Sequence, residues 1–324
     1  MDIKKRVIHY LIILLIVIVA NFFIPRLLPG SPIRTLSGES AAELTAEQKM
    51  GILDAYHLND PLHVQFGYYL RDLFTGDWGV SFSKRLPITE LITPAIGWTL
   101  LLSSVAMVFS VVIGCFLGAL SALRRKKKRD LPLVMSATFI SSIPPFWIAI
   151  LLMAVFGVHL KWLPTYGAYS MWSSLSGAAH IFDVLKHLVL PVSALIITSI
   201  MPYFSQTRYS FLRTLNEDYV LMAKARGIPP AKINIRYIMR NTLIPVFTMV
   251  MMDIGYLLSG SVLVETVFSY PGLGVLMRDA VSARDYPLIQ YTFLISSALT
   301  IFALFIADIL HARLDPAAEV HDEE

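Results

Sequence analysis

Apolar residues along the chain are gathered rather than scattered, and the gathering predicts helices that cross a bilayer. Six blocks stand out: Val7–Ile24, Ile96–Leu123, Leu131–Val158, His187–Gln206, about Thr242–Phe268, and Leu288–Leu310. Each is near or above the roughly 20 residues that cross ~30 Å of hydrocarbon. The chain thus reads as an all-α membrane protein with six transmembrane helices. Between the blocks the pattern changes. In the long outer connection, AAELTAEQKMGILDAYHLND and LHVQFGYYLRDLFTG each read as a short helix, so residues 28–95 are expected to form a small external subdomain. The stretch HLKWLPTYGAYSMWSSLSGAAHIFDVLKH is aromatic and Gly/Ser-rich, as suits an interfacial connection.

Composition excludes a soluble globular class. The chain of 324 residues is 56% hydrophobic and 15% charged, where a soluble domain carries about a quarter charged residues. Lys4, Lys5 and Arg6 before the first block resemble the basic end of a signal peptide. The block is long for that, and NFFIPRLLPGSP is no small-residue cleavage site, so an uncleaved first span is expected. One cysteine, Cys115, lies within an apolar block, which leaves no internal disulfide and no Cys-based metal site.

Charge placement orients the spans. With the N-terminus inside, the cytoplasmic segments hold 17 of the 27 Lys and Arg, including the run RRKKKR at 124–129. The outer loop 25–95 is net acidic. Both termini are therefore expected in the cytoplasm. The run RRKKKR reads as a topology determinant rather than a nucleic-acid patch, and no nucleic-acid partner is expected.

One cytoplasmic segment, 208–241, is polar where its neighbours are apolar. Within it, EDYVLMAKARGIPP has the marks of a short helix over 217–226 with a forced stop. Asn216 is the expected N-cap. Glu217 and Asp218 favour the first turn; Lys224 and Arg226 favour the last. Gly227 supplies a left-handed residue, and Pro229 and Pro230 prevent continuation. Tyr219, Met222, Ala223 and Arg226 recur at one-face spacing. A second helix restarts near Ala231, with Lys232, Arg236 and Arg240 as a basic stripe towards lipid headgroups. A ten-residue helix is marginal alone, so a cytoplasmic partner is the simplest support for it.

The run DYVLMAKARG, followed by NTLIP ending at Pro245, resembles the EAA-type motif of ABC importer permeases. With RLLPGSP, PLHVQFGYYLRDLFTGDWGVSF, ETVFSYPGLG, ARDYPLIQ and LDP in order, nearly the whole chain is similar to the oligopeptide/dipeptide/nickel permease family, in its B-type subunit. Leu221 and Met222 stand where the motif has its acid and first alanine. The resemblance implies a type I ABC importer permease fold in a bacterial or archaeal cytoplasmic membrane. It also implies a heterodimer with a second, homologous permease, two ABC ATPase subunits inside, and an extracytoplasmic substrate-binding protein outside. Glu217, Asp218, Tyr219, Met222, Ala223, Lys224, Arg226 and Gly227 would then form the coupling helix against the ATPase. The expected organisation is 1–27 (N-terminal end and first span), 28–95 (external subdomain), 96–314 (five-helix core with the 208–241 segment) and 315–324 (tail). Cargo is expected to be di- or oligopeptides, with nickel or a metal chelate as the alternative.

No G-x-x-x-x-G-K-S/T run exists in the chain, so no P-loop holds ATP phosphates. This chain is expected to be non-catalytic and to bind no cofactor or metal, with ATP and Mg on partner subunits. A secondary carrier driven by an ion gradient lacks a P-loop too, but the intramembrane acids Asp253 and Asp308 have no mid-span bases and make a poor proton relay. Asp253, Met249, Met252 and Pro145 are the candidates for the translocation pathway. The prolines at 144, 145, 191 and 202 free backbone groups of the kind such paths use. His180 and His187 read as interface histidines rather than a nickel site.

Overall fold

A computed structural model describes residues 3–27, 57–125, 130–170, 175–254 and 261–314, with Thr45, Glu47, Met50, Gly51 and Asp54 besides. Most of the first expected outer helix, basic residues 126–129, residues 255–260 in the expected fifth span and the tail 315–324 lie outside the described residues. What is described is helical, with one isolated bridge between Val80 and Pro87. The helices are α1 (Ile3–Leu27), α2 (Leu62–Thr75), α3 (Ile88–Arg124), α4 (Leu131–Ser141), α5 (Pro145–Leu152), α6 (Ala178–Thr214), α7 (Asp218–Ala225), α8 (Pro230–Lys232), α9 (Arg240–Ile254), α10 (Val262–Val267), α11 (Leu273–Ala283) and α12 (Tyr286–Leu314). Two π-helical stretches follow α5 and α8, at Met153–His159 and Ile233–Met239.

Four of these helices, α1, α3, α6 and α12, are long and apolar enough to cross a membrane. A fifth candidate is broken: Leu131–Ser141 and Pro145–His159 meet at 96°. The cause is local. Pro144 and Pro145 have no N–H for the carbonyls at the end of α4, so the helix stops and restarts in a new direction. The third block is therefore bent, not straight.

The chain divides into two units. One comprises Met1–Thr99 and Pro271–Phe305; the other, Leu100–Tyr270 and Ile306–Glu324. The first unit has a core of Phe22, Tyr69, Ile88, Leu273, Leu288 and Ile289 with their neighbours. Arg26 at the end of α1 donates to Gln65 at 2.8 Å and to Gln290 at 3.2 Å, and lies 3.6 Å over the Phe22 ring. Asp285 joins two helices and a loop. It follows the left-handed Arg284 that ends α11, and its Oδ1 accepts the Leu288 N–H at the start of α12. Its Oδ2 accepts the Ser81 hydroxyl at 2.6 Å and both the N–H and hydroxyl of Ser83 at 2.8 Å, fully buried. The GVSF and ARDYP segments are thereby tied together.

In the second unit, α3 crosses α6 at very close range. A Cβ added at Gly118 would lie 2.5 Å from the Phe204 carbonyl, and one at Gly114 would lie 2.7 Å from the Tyr203 Cβ. Gly114-x-x-x-Gly118 is the small-residue spacing that lets membrane helices touch backbone to backbone. Beside it, Thr207 donates to Cys115 Sγ at 3.3 Å.

Candidate functional site

Two places in the second unit bear on function: the short helix α7 and a cavity beside α6.

The helix α7 hangs on the end of α6. The chain leaves Thr214, turns through Asn216, and enters α7 at Asp218 with extended Glu217 as the cap residue. The expected Asn216 cap is not made. The Asn216 amide instead donates back to the Leu212 carbonyl at 3.4 Å, because α6 runs on almost to that point. No side chain caps this end. The other end is as expected. Gly227 has φ of 72°, its N–H donates to Lys224 O at 3.0 Å, and Ile228 N–H donates to Ala223 O at 3.2 Å. This paired return is the Schellman stop, with Ile228 and Ala223 in the same apolar cluster.

Val220 and Ala223 are buried with Phe211, Ile233 and Ile238. They sit three apart and form the inward face of α7. Ala223 therefore belongs to the chain's own core, and the face expected from Tyr219, Met222, Ala223 and Arg226 is corrected to that extent. The outward side carries Tyr219 at 40% exposure, Leu221 at 52% and Met222 at 64%. Glu217, Asp218, Lys224, Arg226 and Gly227 are exposed around them. Leu221 was not among the sequence candidates; its signal was its place at the acid position of the motif. Asn241 donates to the Tyr219 hydroxyl at 2.6 Å, linking α7 to α9.

The restart after Pro229 and Pro230 differs from the expected α-helix. The π geometry of Ile233–Met239 turns Ile233 and Ile238, five apart, onto one buried face. Lys232, Arg236 and Arg240 remain exposed. Near the same end of α6, Arg208 bridges helices: it donates to Asp130 Oδ2 at 2.6 Å and to the Ser121 hydroxyl at 3.1 Å. The Arg208 bond holds the Asp130 carboxyl below the ordinary carboxylate range, against the opposing effect of burial.

The cavity has a volume of about 390 Å³ and is lined by Ser141, Pro145, Thr198, Tyr203, Asp253 and Ser261 among others. Tyr203 donates to Asp253 Oδ2 at 2.7 Å. Of the four pathway candidates, Asp253 and Pro145 share this cavity. Met249 instead packs beside Cys115, Tyr203 and Val246, while Met252 is 59% exposed and lies outside the lining. His187 is buried and within 2.8 Å of the Asp183 carbonyl, and His180 meets the Tyr169 ring edge-on. Among the described residues no three metal-ligating side chains converge.

A helical chain with several apolar candidate spans, a short helix closed by a Schellman stop and a cavity beside a bent helix pair has the build of a membrane-embedded component. Residues 110–320 match the family described as binding-protein-dependent transport system inner membrane component, and the chain belongs to that family. It is an inner-membrane permease component and not an enzyme. The chain is 38% identical over 319 residues to the glutathione transport system permease protein GsiC of Salmonella typhimurium, with 97% of each chain covered. It is 34% identical over 316 residues to the oligopeptide transport system permease protein AppB of Bacillus subtilis, covering 97% of this chain and 98% of the other. It is also 32% identical over 329 residues to the dipeptide transport system permease protein DppB of Alkalihalophilus pseudofirmus, covering 96% and 97%.

Proposed function

We propose that this chain is the transmembrane subunit of an ATP-driven ABC importer for di- and oligopeptides, with α7 as its coupling helix. The observation that carries the coupling role is the construction of α7. Eight residues are stopped by a Schellman motif, rooted through Val220 and Ala223, and topped by exposed Leu221 and Met222. Exposed apolar side chains on a short, braced helix suit a protein partner rather than water. The three relatives are named for glutathione, oligopeptide and dipeptide transport, which supports peptide cargo and does not favour nickel. Six spans follow from the six apolar blocks of the sequence, and the distribution of Lys and Arg puts both termini in the cytoplasm. A second permease forms the pathway with this one, two ATPases bind inside, and a binding protein docks outside.

The test is isolation of the protein from its own host under mild detergent, followed by reconstitution. Two ATPases and a second permease should copurify, and peptide uptake should need ATP and the binding protein. Uptake by this chain alone, on a pH gradient without ATP, would establish the gradient-driven carrier instead.

A further inference from the structure

Asp253 places a carboxyl group in the lining of the cavity beside α6, with no basic partner among the described residues. Its Oδ2 accepts the Tyr203 hydroxyl, no described hydrogen bond reaches Oδ1, and no described Lys or Arg pairs with it. On the proposed fifth span an ionised carboxylate is costly, and a cation passing beside it would offset that cost. The cavity around it offers acceptors. Pro144 and Pro145 have no N–H for the Ser141 carbonyl, and Pro202 has none for that of Thr198, and both Ser141 and Thr198 line the cavity. The buried hydroxyls of Ser103 and Ser110, also in the lining, have no partner among the described residues. Among the described residues, no Lys, Arg or His lines the space. A cavity of about 390 Å³ also falls in the size range of small-molecule sites, roughly 300–1,000 Å³.

We propose that Asp253 and the freed carbonyls of Ser141 and Thr198 form a transit subsite for the ammonium group of a passing peptide. An ammonium has three donors and one charge, which one carboxylate and two neutral carbonyls match. A divalent metal asks for more ligands than this set holds. The subsite rests on the peptide-import reading, and it places cargo recognition in the permease as well as in the binding protein.

The test uses the complete importer with its binding protein in proteoliposomes. Initial uptake of trialanine is compared with that of N-acetyl-trialanine, in the wild type and in Asp253→Asn, which keeps an acceptor for Tyr203. The preference of the binding protein is common to both and cancels in the ratio of ratios. The expected result is that the preference for the free amine falls about tenfold in the variant, the scale of one charge-assisted hydrogen bond. Asp253→Glu, which keeps the charge, should retain most of it. In the unmodified importer, methylammonium chloride should slow uptake of the free peptide, but not of its acetyl form, relative to equal sodium chloride. This second measurement decides the matter if Asp253→Asn does not assemble. An equal fall for both peptides, or an unchanged ratio, overturns the subsite. So does a dependence on sodium or potassium shared by both peptides, which would make it an inorganic cation site. A wild-type importer that moves neither peptide with ATP removes the import reading itself, and the subsite with it.

Discussion

Gly227 offers a clean perturbation, because its neighbourhood adds nothing to its conformation. Its φ is 72°, and a Cβ added there meets no atom within 4 Å. Any cost of replacing it is therefore a backbone cost. For ordinary L-residues the left-handed region costs about 1–2 kcal/mol, with Asn among the more tolerant types and β-branched residues among the least. Two hydrogen bonds depend on that conformation, Gly227 N–H to Lys224 O and Ile228 N–H to Ala223 O. Loosening them by 1–2 kcal/mol raises the open population of the C-terminal turn of α7 about 5- to 30-fold. Gly227→Asn, Gly227→Ala and Gly227→Val should thus form a graded series. Hydrogen exchange across residues 218–228 in the purified complex reads the opening directly. Peptide moved per ATP hydrolysed reads its effect on coupling, with membrane insertion unchanged. Wild-type exchange in Gly227→Val would refute the reasoning, as would an Asn variant as loose as the Val variant.

Three further outcomes follow from particular contacts. Gly118→Ala places a methyl 2.5 Å from the Phe204 carbonyl, which cannot yield without parting α3 from α6. A loss of about 1–3 kcal/mol is expected, seen as faster maleimide labelling of Cys115, the single cysteine, which is 7% exposed in the native protein. Asp285→Ala leaves the donors of Ser81, Ser83 and Leu288 without their acceptor and should cost about 2–4 kcal/mol in thermal unfolding. The third outcome concerns pH. Since Asp130 has its carboxyl depressed by Arg208, its stabilisation is complete above the unfolded value, about 3.9, and is lost as pH falls through the lower folded value. Thermal scans should therefore hold level to about pH 5 and then decline below about pH 4, with that part of the decline absent in Asp130→Asn.

Much of this architecture was legible in the sequence, where the governing signal is local. The expected helix LHVQFGYYLRDLFTG folds as α2 and stops at left-handed Gly76, and the stop at Gly227 follows from glycine chemistry with prolines beyond it. Signals that compete were less legible. Asn216 is a good cap by type, but the end of α6 engages its amide first. The 3.6-residue period could not anticipate that the chain after Pro230 winds as a π-helix, which is what sends Ile233 and Ile238 inward together. Ala223 looked like part of an outward face, yet its smallness serves packing against Phe211 and Ile238. The Gly114-x-x-x-Gly118 spacing was present to be read as a helix contact. Asp285 gave a weaker sign, an acid at the head of an apolar run with Pro287 just inside it. Its bonds to Ser81 and Ser83 join positions about 200 apart, and no local pattern announces such a pairing.

The central claim, that α7 is where an ATPase grips this chain, is tested most directly by disulfide trapping. With Cys115→Ala removing the native cysteine, Met222→Cys places one thiol on the exposed crown of the helix. In the importer assembled from its own host, oxidation should link that thiol to a cysteine introduced in the ATPase cleft and halt ATP-driven uptake, with both restored by reductant. Failure of Met222→Cys to link to any ATPase position, in a complex that still imports peptide with ATP, would contradict the account.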